Sequence, residues 1–227
     1  MIYNKIALLI FANSGQQEVL SKSFSSSNLF DALNERTLKI AKQTGLPYFH
    51  VSEKQQTGDS FGERFTNAIQ IIYTKGFDTV ITIGNDTPHL KSAHILKTVD
   101  KLKTCPLVLG PSRDGGFYLM GLKKSHFNKA LFLSLPWQRA NLNNCISKLI
   151  ISNKTEVLYL EALTDIDNSS DIKHILDSFK SLSTSLKFIL LQYLALVSKA
   201  IFHSAIIFRI LYFQSPHNKG SPIPLHF

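Results

Sequence analysis

Four short segments hold the residues whose types and spacing could do chemistry. In Ile83-Gly84-Asn85-Asp86-Thr87-Pro88, a β-branched run reaches a glycine, then a carboxylate, then a proline. Gly84 permits close backbone approach and Pro88 fixes the chain direction. Asp86 is thereby displayed at a strand end, where it can take a hard cation such as Mg²⁺ or Mn²⁺, or it caps the turn Asn85–His89. In Leu109–Leu122 (LGPSRDGGFYLMGL), Gly115 and Gly116 let backbone N–H groups meet a ligand beside the Asp114 carboxylate and the Arg113 cation. Asp-Gly is also a common hairpin turn.

The third segment is Thr164-Asp165-Ile166-Asp167-Asn168-Ser169-Ser170-Asp171. Asn168 or Ser169 suits a helix N-cap, with Asp171 favoured by the dipole in the first turn. Asp165 and Asp167 alternate on an extended stretch, share one side, and can face a metal together. The fourth, Gly58–Phe65, puts Gly62 and Arg64 in the first turn of a helix. That is the wrong end for a dipole-compensating cation, but it suits a phosphate or carboxylate. The alternative is a Glu63–Arg64 surface turn. Trp137, the single tryptophan, can stack on a sugar or base or belong to the core. The eight histidines form no zinc spacing, and of these only His89 stands beside a candidate site residue.

These segments need a scaffold that brings them together. Lys5–Ala12, Pro47–Val51, Asp78–Gly84, Pro106–Gly110, Phe117–Leu122 and Glu156–Leu160 read as strands. Leu29–Thr44, Phe61–Lys75, Ser92–Lys103, Asn141–Ile151 and Ser169–Leu182 read as helices, while Asn13-Ser14-Gly15 and Ser21–Asn28 read as turn and loop. Alternating strands and helices imply an α/β fold with a mostly parallel sheet covered on both faces, whose chemistry sits at the strands' C-terminal ends. That places Ala12, Asn13, Gly15, Gly84 and Asn85 beside a ligand.

The 227 residues include 44% hydrophobic and 18% charged, enough for one sizeable core and against disorder. Two cysteines without CxxC spacing exclude a zinc ribbon or disulfide framework. The apolar run Ile6–Ala12 is too short for a signal segment and fits a buried first strand, so a cytoplasmic protein is expected. The net charge is +9, and no acidic residue follows Asp177, beyond which five cations lie. No nucleic-acid-binding signature accompanies that charge.

Together the motifs resemble a bacterial family with a formerly unknown-function domain, glycosyltransferase-A-like and linked to arsenosugar-biosynthesis-type glycosyltransferases. The carrying residues are Gly58–Arg64, Ile83–Leu90 (IGNDTPHL), Leu109–Leu122, Leu135–Trp137 and Asp165–Asp171, in order across about residues 1 to 180. The resemblance implies a three-layer nucleotide-diphospho-sugar transferase fold (Rossmann-like), similar to the molybdenum-cofactor guanylyltransferase. It further implies a nucleotide or nucleotide-sugar partner and Mg²⁺ or Mn²⁺ held by Asp86; the spacing adds Asp165 and Asp167 as further expected ligands, and Asp114 is the expected base. Metal-dependent glycosyl transfer is the activity expected first. Nucleotidyl transfer and a catalytically degenerate binding module are the alternatives. Typical members follow the first strand with a Pro-Gly and Lys-Thr-Arg-rich loop. Here Gly15 and Lys22 remain, and Arg36, Lys39 and Lys42 stand farther on as candidate replacements.

The transferase domain is expected over residues 1–182, an apolar helix over 183–213 and a flexible tail over 214–227. In Leu186–Phe213 the polar residues Lys187, Gln192, Lys199, His203 and Arg209 share half the circumference. Such a helix suits the inner face of an anionic membrane, the parent domain, or a homodimer partner.

Overall fold

The computed structural model describes residues 5–22, 24, 27–139, 141–151, 157–178 and 181–213. The expected flexible tail, 214–227, lies outside the described residues. Strand β1 (Ile6–Phe11) leads into α1 (Gly15–Lys22) and α2 (Asn28–Gln43), then β2 (Tyr48–Val51), α3 (Phe61–Thr74), β3 (Thr79–Ile83) and α4 (Ser92–Lys101). The hairpin β4 (Leu107–Pro111) and β5 (Phe117–Lys123) follows. Next come α5 (Lys129–Leu133), α6 (Leu142–Ile151), β6 (Val157–Tyr159), α7 (Ser169–Asp177) and α8 (Thr184–Phe213).

The strands form one sheet in the order β2-β1-β3-β5-β4-β6. Only β5 runs antiparallel to its neighbours, pairing Ile83 with Leu119 and Leu109 with Met120. The expected mostly parallel α/β sheet is therefore what forms. Alternation along β1 sends Ala7 and Leu9 to one face, against Phe65, Ile69 and Ile72 of α3, and Leu8 and Ile10 to the other, against Ile40 of α2 and Ile95 of α4. This produces the three layers.

Three α-helices differ from the sequence reading. A helix, α1, begins at Gly15 where a turn and a polar stretch were expected, and it carries Ser21 and Lys22 out of the expected loop. Helix α7 ends at Asp177, not Leu182, because Ser178 is extended. Short α5 was not anticipated; it starts at Asn128, whose side chain accepts from the Leu131 N–H.

A third core joins α2, α7 and α8: Leu186, Leu190 and Tyr193 pack on Phe24, Leu29, Phe30, Leu33, Ile172 and Ile175. The first turns of α8 thus lie on the domain, while Lys187, Gln192 and Lys199 face outward. No helix among the described residues is long and apolar enough to cross a membrane.

Candidate active site

At the C-terminal ends of β1, β3 and β4 lies a cavity of about 330 Å³. Ala12, Asn13, Arg64, Gly84, Asn85, Asp86, Asp114, Gly116, Trp137, Asp165 and Asp167 line it, as do Glu18, Lys22 and Gln56, which were not singled out as ligand-binding residues. Gly15, Gly62 and Gly115 do not. A side chain at Gly15 would strike Asp31 of α2, and one at Gly62 would lie 2.3 Å from the Trp137 ring. Those two glycines permit close packing around the cavity. Gly115 has φ +93° and turns the β4–β5 hairpin.

Hydrogen bonds lock the strand ends together. Asn85 donates to Asn34 Oδ1 (2.9 Å), and Asn34 donates to the Asn13 carbonyl (3.0 Å), so α2 bridges the ends of β1 and β3. The Ile166 N–H donates to the Asp86 carbonyl at 2.9 Å, which brings the Asp165–Asp167 stretch beside Asp86. The N-cap of α7 then fixes Asp167: Asp171 Oδ2 accepts from the N–H groups of Asp167 (3.0 Å) and Asn168 (2.9 Å).

The carboxylates differ in state. Thr87 donates to Asp165 Oδ1 at 2.5 Å, yet burial and the neighbouring Asp86 charge push the Asp165 carboxyl up to about 8. Burial also raises Glu18, against the opposing influence of Lys22. Asp114 closes the hairpin turn, accepting from Ser112 Oγ and from the Gly116 N–H.

The cation among them is Lys22. Its Nζ lies 2.6 Å from Asp86 Oδ2, 2.8 Å from Asp167 Oδ1 and 2.8 Å from the Ile166 carbonyl. Burial alone would lower its pKa; Asp86 and Asp167 outweigh burial and raise it. Two carboxylates and a carbonyl are the hard oxygen donors that Mg²⁺ or Mn²⁺ takes. No group of three or more His, Cys, Asp or Glu side chains among the described residues is arranged to hold a metal ion; the two carboxylates and the carbonyl have the donor chemistry for one, and here they converge on the ammonium.

The other wall is aromatic. Phe61, Phe65, Phe117 and Trp137 contact one another at ring-centroid distances of 5.2–6.3 Å, and the indole N–H is taken by the Phe132 carbonyl at 2.7 Å. Arg64 is held over the cavity by Gln56 Oε1 and the Asp59 carbonyl. The Ser14 N–H and hydroxyl at the start of α1 donate to Glu53 at 2.8 and 2.9 Å, so a carboxylate of the chain itself sits at that helix end. Arg36 and Lys39 do not replace the missing basic loop here; they line a separate groove between α2 and α8, where Arg36 donates to the Leu90 carbonyl. His89 is buried near Ser178, outside the cavity lining.

The profile of a family described as uncharacterized proteins conserved in bacteria (DUF2064) matches residues 21–139. No curated protein matches the sequence. Among solved structures, a Desulfovibrio desulfuricans protein described as a nucleotide-diphospho-sugar transferase aligns over 84% of this chain and 99% of its own, with a TM-score of 0.69 at 21% identity. The Rv0371c protein of Mycobacterium tuberculosis, in complex with manganese, aligns over 77% and 99% with a TM-score of 0.47 at 14% identity. The 4-diphosphocytidyl-2C-methyl-D-erythritol synthase of Anaerococcus prevotii aligns over 74% and 95%, with a TM-score of 0.45 at 11% identity. The first of these likenesses shows the fold to be that of the nucleotide-diphospho-sugar transferases.

Proposed function

Since the chain belongs to the DUF2064 family of proteins conserved in bacteria, we propose that it is a transferase that takes a sugar from a nucleotide-sugar donor. One observation carries this reading: Asp86, Asp165 and Asp167 line one cavity at the strand ends together with Arg64 and an aromatic wall. Acidic groups that hold a cation, a guanidinium for phosphate or carboxylate, and apolar rings for a sugar or base face are what a nucleotide sugar requires.

Ala12, Asn13 and Asn85 border the nucleotide, and Trp137 with Phe61 and Phe117 offers rings to the sugar or base. Asp86 and Asp167 would hold Mg²⁺ or Mn²⁺, with Asp165 as a third carboxyl beside them, and a bound ion would supply charge neutralisation for the departing diphosphate. The acceptor hydroxyl oxygen bonds to the anomeric carbon, the bond from that carbon to the diphosphate breaks, and the nucleoside diphosphate leaves with the electron pair. The acceptor's proton goes to Asp114, which its turn hydrogen bonds orient.

Calorimetric titration with UDP-, GDP-, CDP-, ADP- and dTDP-sugars, with and without Mn²⁺, tests the reading. Tight binding of one nucleotide sugar, weakened at least about tenfold by Asp86→Ala, is expected. Binding of a free nucleoside triphosphate alone would instead favour nucleotidyl transfer. Absence of binding by any of them would leave a degenerate module.

The outward side of α8 exposes Phe188 (60%), Leu191 (48%) and Leu196 (57%) next to Lys187 and Lys199. Apolar and cationic groups together suit the surface of an anionic membrane. Flotation of the full chain with phosphatidylglycerol-containing vesicles, and not with neutral ones, is the expected result. A dimer that never floats would assign the face to a second copy.

A further inference from the structure

An ammonium group has three donors, and Lys22 spends all three on Asp86 Oδ2, Asp167 Oδ1 and the Ile166 carbonyl, at 2.6 to 2.8 Å. These are the oxygens that would hold a divalent ion. Metal–oxygen bonds to Mg²⁺ are about 2.1 Å, so an ion bound by those oxygens would have to stand where Nζ stands. Two cations cannot share that point. The lysine is not a stray surface group: it is delivered by the last residue of α1, its side chain is only 16% exposed, and its Nζ lies 5.9 Å from the centroid of the Phe30 ring.

Charge balance makes this occupancy more than incidental. Glu18, Asp86, Asp114, Asp165 and Asp167 all line the cavity, and the ammonium of Lys22 contacts two of these five carboxyl groups. Without a cation at that point, two adjacent carboxylates would repel each other in a partly buried place.

We infer that Lys22 is a tethered counter-cation that competes with the divalent ion for one seat, so that the ion enters only when the Lys22 ammonium withdraws. This rests on the reading of Asp86 and Asp167 as the ion's ligands. Without a metal the seat already holds one cation, which offsets one of its two carboxylate charges, and its affinity for a free divalent ion is set by the difference between two cations, not by the carboxylates alone.

The test is Mn²⁺ binding to the full chain, followed by electron paramagnetic resonance without nucleotide. Wild type is compared with Lys22→Met and with Lys22→Met/Asp86→Asn. Lys22→Met is expected to bind one Mn²⁺ about tenfold more tightly than wild type, and the double variant to lose it. Wild type binding as tightly as Lys22→Met would overturn the competition and leave the ligand assignment standing. Absence of binding in wild type and Lys22→Met alike would overturn the ligand assignment and the inference with it. A second measurement needs no variant: amine-reactive labelling of wild type, read by mass spectrometry across a Mg²⁺ titration. Lys22 is expected to be protected without Mg²⁺ and to gain label as the ion binds; protection unchanged at Mg²⁺ saturation would overturn the inference.

Discussion

A carboxyl group buried beside another carboxylate keeps its proton to a higher pH, and Asp165 is in that position. Its pKa stands at about 8 in the fold against an ordinary 3.8, first from burial and then from Asp86. The folded state thus binds this proton more tightly than the unfolded chain does. The stability it contributes is fully present below about pH 4 and is lost as pH rises through about 8. Asp165→Asn keeps an acceptor for Thr87 and removes the titration. It is expected to leave the melting temperature unchanged near pH 4 and to raise it near pH 8 by roughly 3–6 °C, for about 1–2 kcal/mol. Equal melting curves at both pH values would reject the assignment. Gly62 is a second residue-scale case. A methyl group there would meet Trp137 Cδ1 at 2.3 Å. Gly62→Ala is expected to cost about 1–3 kcal/mol and to shift the emission of the single tryptophan to the red; an unchanged spectrum would show that the ring is not wedged there. Asp86, Asp165 and Asp167 were legible in the sequence because each follows a strong strand or precedes a strong cap. Glu18 was not, and Lys22 was legible only as a remnant of the first loop and not as a partner of Asp86, because both sit in a polar stretch with no apolar period to announce a helix.

Helix α1 explains that gap at the scale of elements. It has eight residues, GQQEVLSK, with only Val19 and Leu20 apolar among long side chains, and Leu20 is 77% exposed. Periodicity cannot mark so short a helix; its packing on α2, with Gly15 against Asp31, defines it. Helix α7 is the opposite case. Its N-cap was legible as Asn168 or Ser169 with Asp171 in the first turn; the fold uses Asn168, and Asp171 closes a capping box with it. That box also anchors the backbone of Asp167. Asp171→Ala is therefore expected to cost about 1 kcal/mol of stability and to weaken Mn²⁺ or nucleotide-sugar binding severalfold. Asn128→Ala removes a cap of the same kind from α5, outside the cavity lining, and serves as the control. Equal effects on binding from both substitutions would reduce Asp171 to a purely structural residue.

For the whole molecule, the layered α/β architecture follows from alternation along β1, β3 and β4, which is why the fold class could be read before the structure. Strand order and the reversal of β5 could not, because periodicity carries no direction; only the Asp114-Gly115 turn hinted at the hairpin. How α8 joins the rest was equally hidden, since an apolar helix suits several surfaces. In the structure, Leu186, Leu190 and Tyr193 complete the core around Phe30 and Ile166. That core lies directly behind the site: the Ile166 carbonyl holds Lys22, its N–H holds the Asp86 loop, and Phe30 lies beneath the ammonium. Burial of a large apolar side chain contributes about 1.5–3 kcal/mol, so losing three would remove much of a domain stability of roughly 5–15 kcal/mol. A chain ending at residue 182 is therefore expected to aggregate, or to melt at least about 10 °C lower with Lys22 open to amine labelling. A chain ending at Lys199 keeps Leu186, Leu190 and Tyr193 and is expected to melt close to the full length with Lys22 protected. Comparable melting of all three chains would mean that α8 is only an attachment, and that the site stands without it.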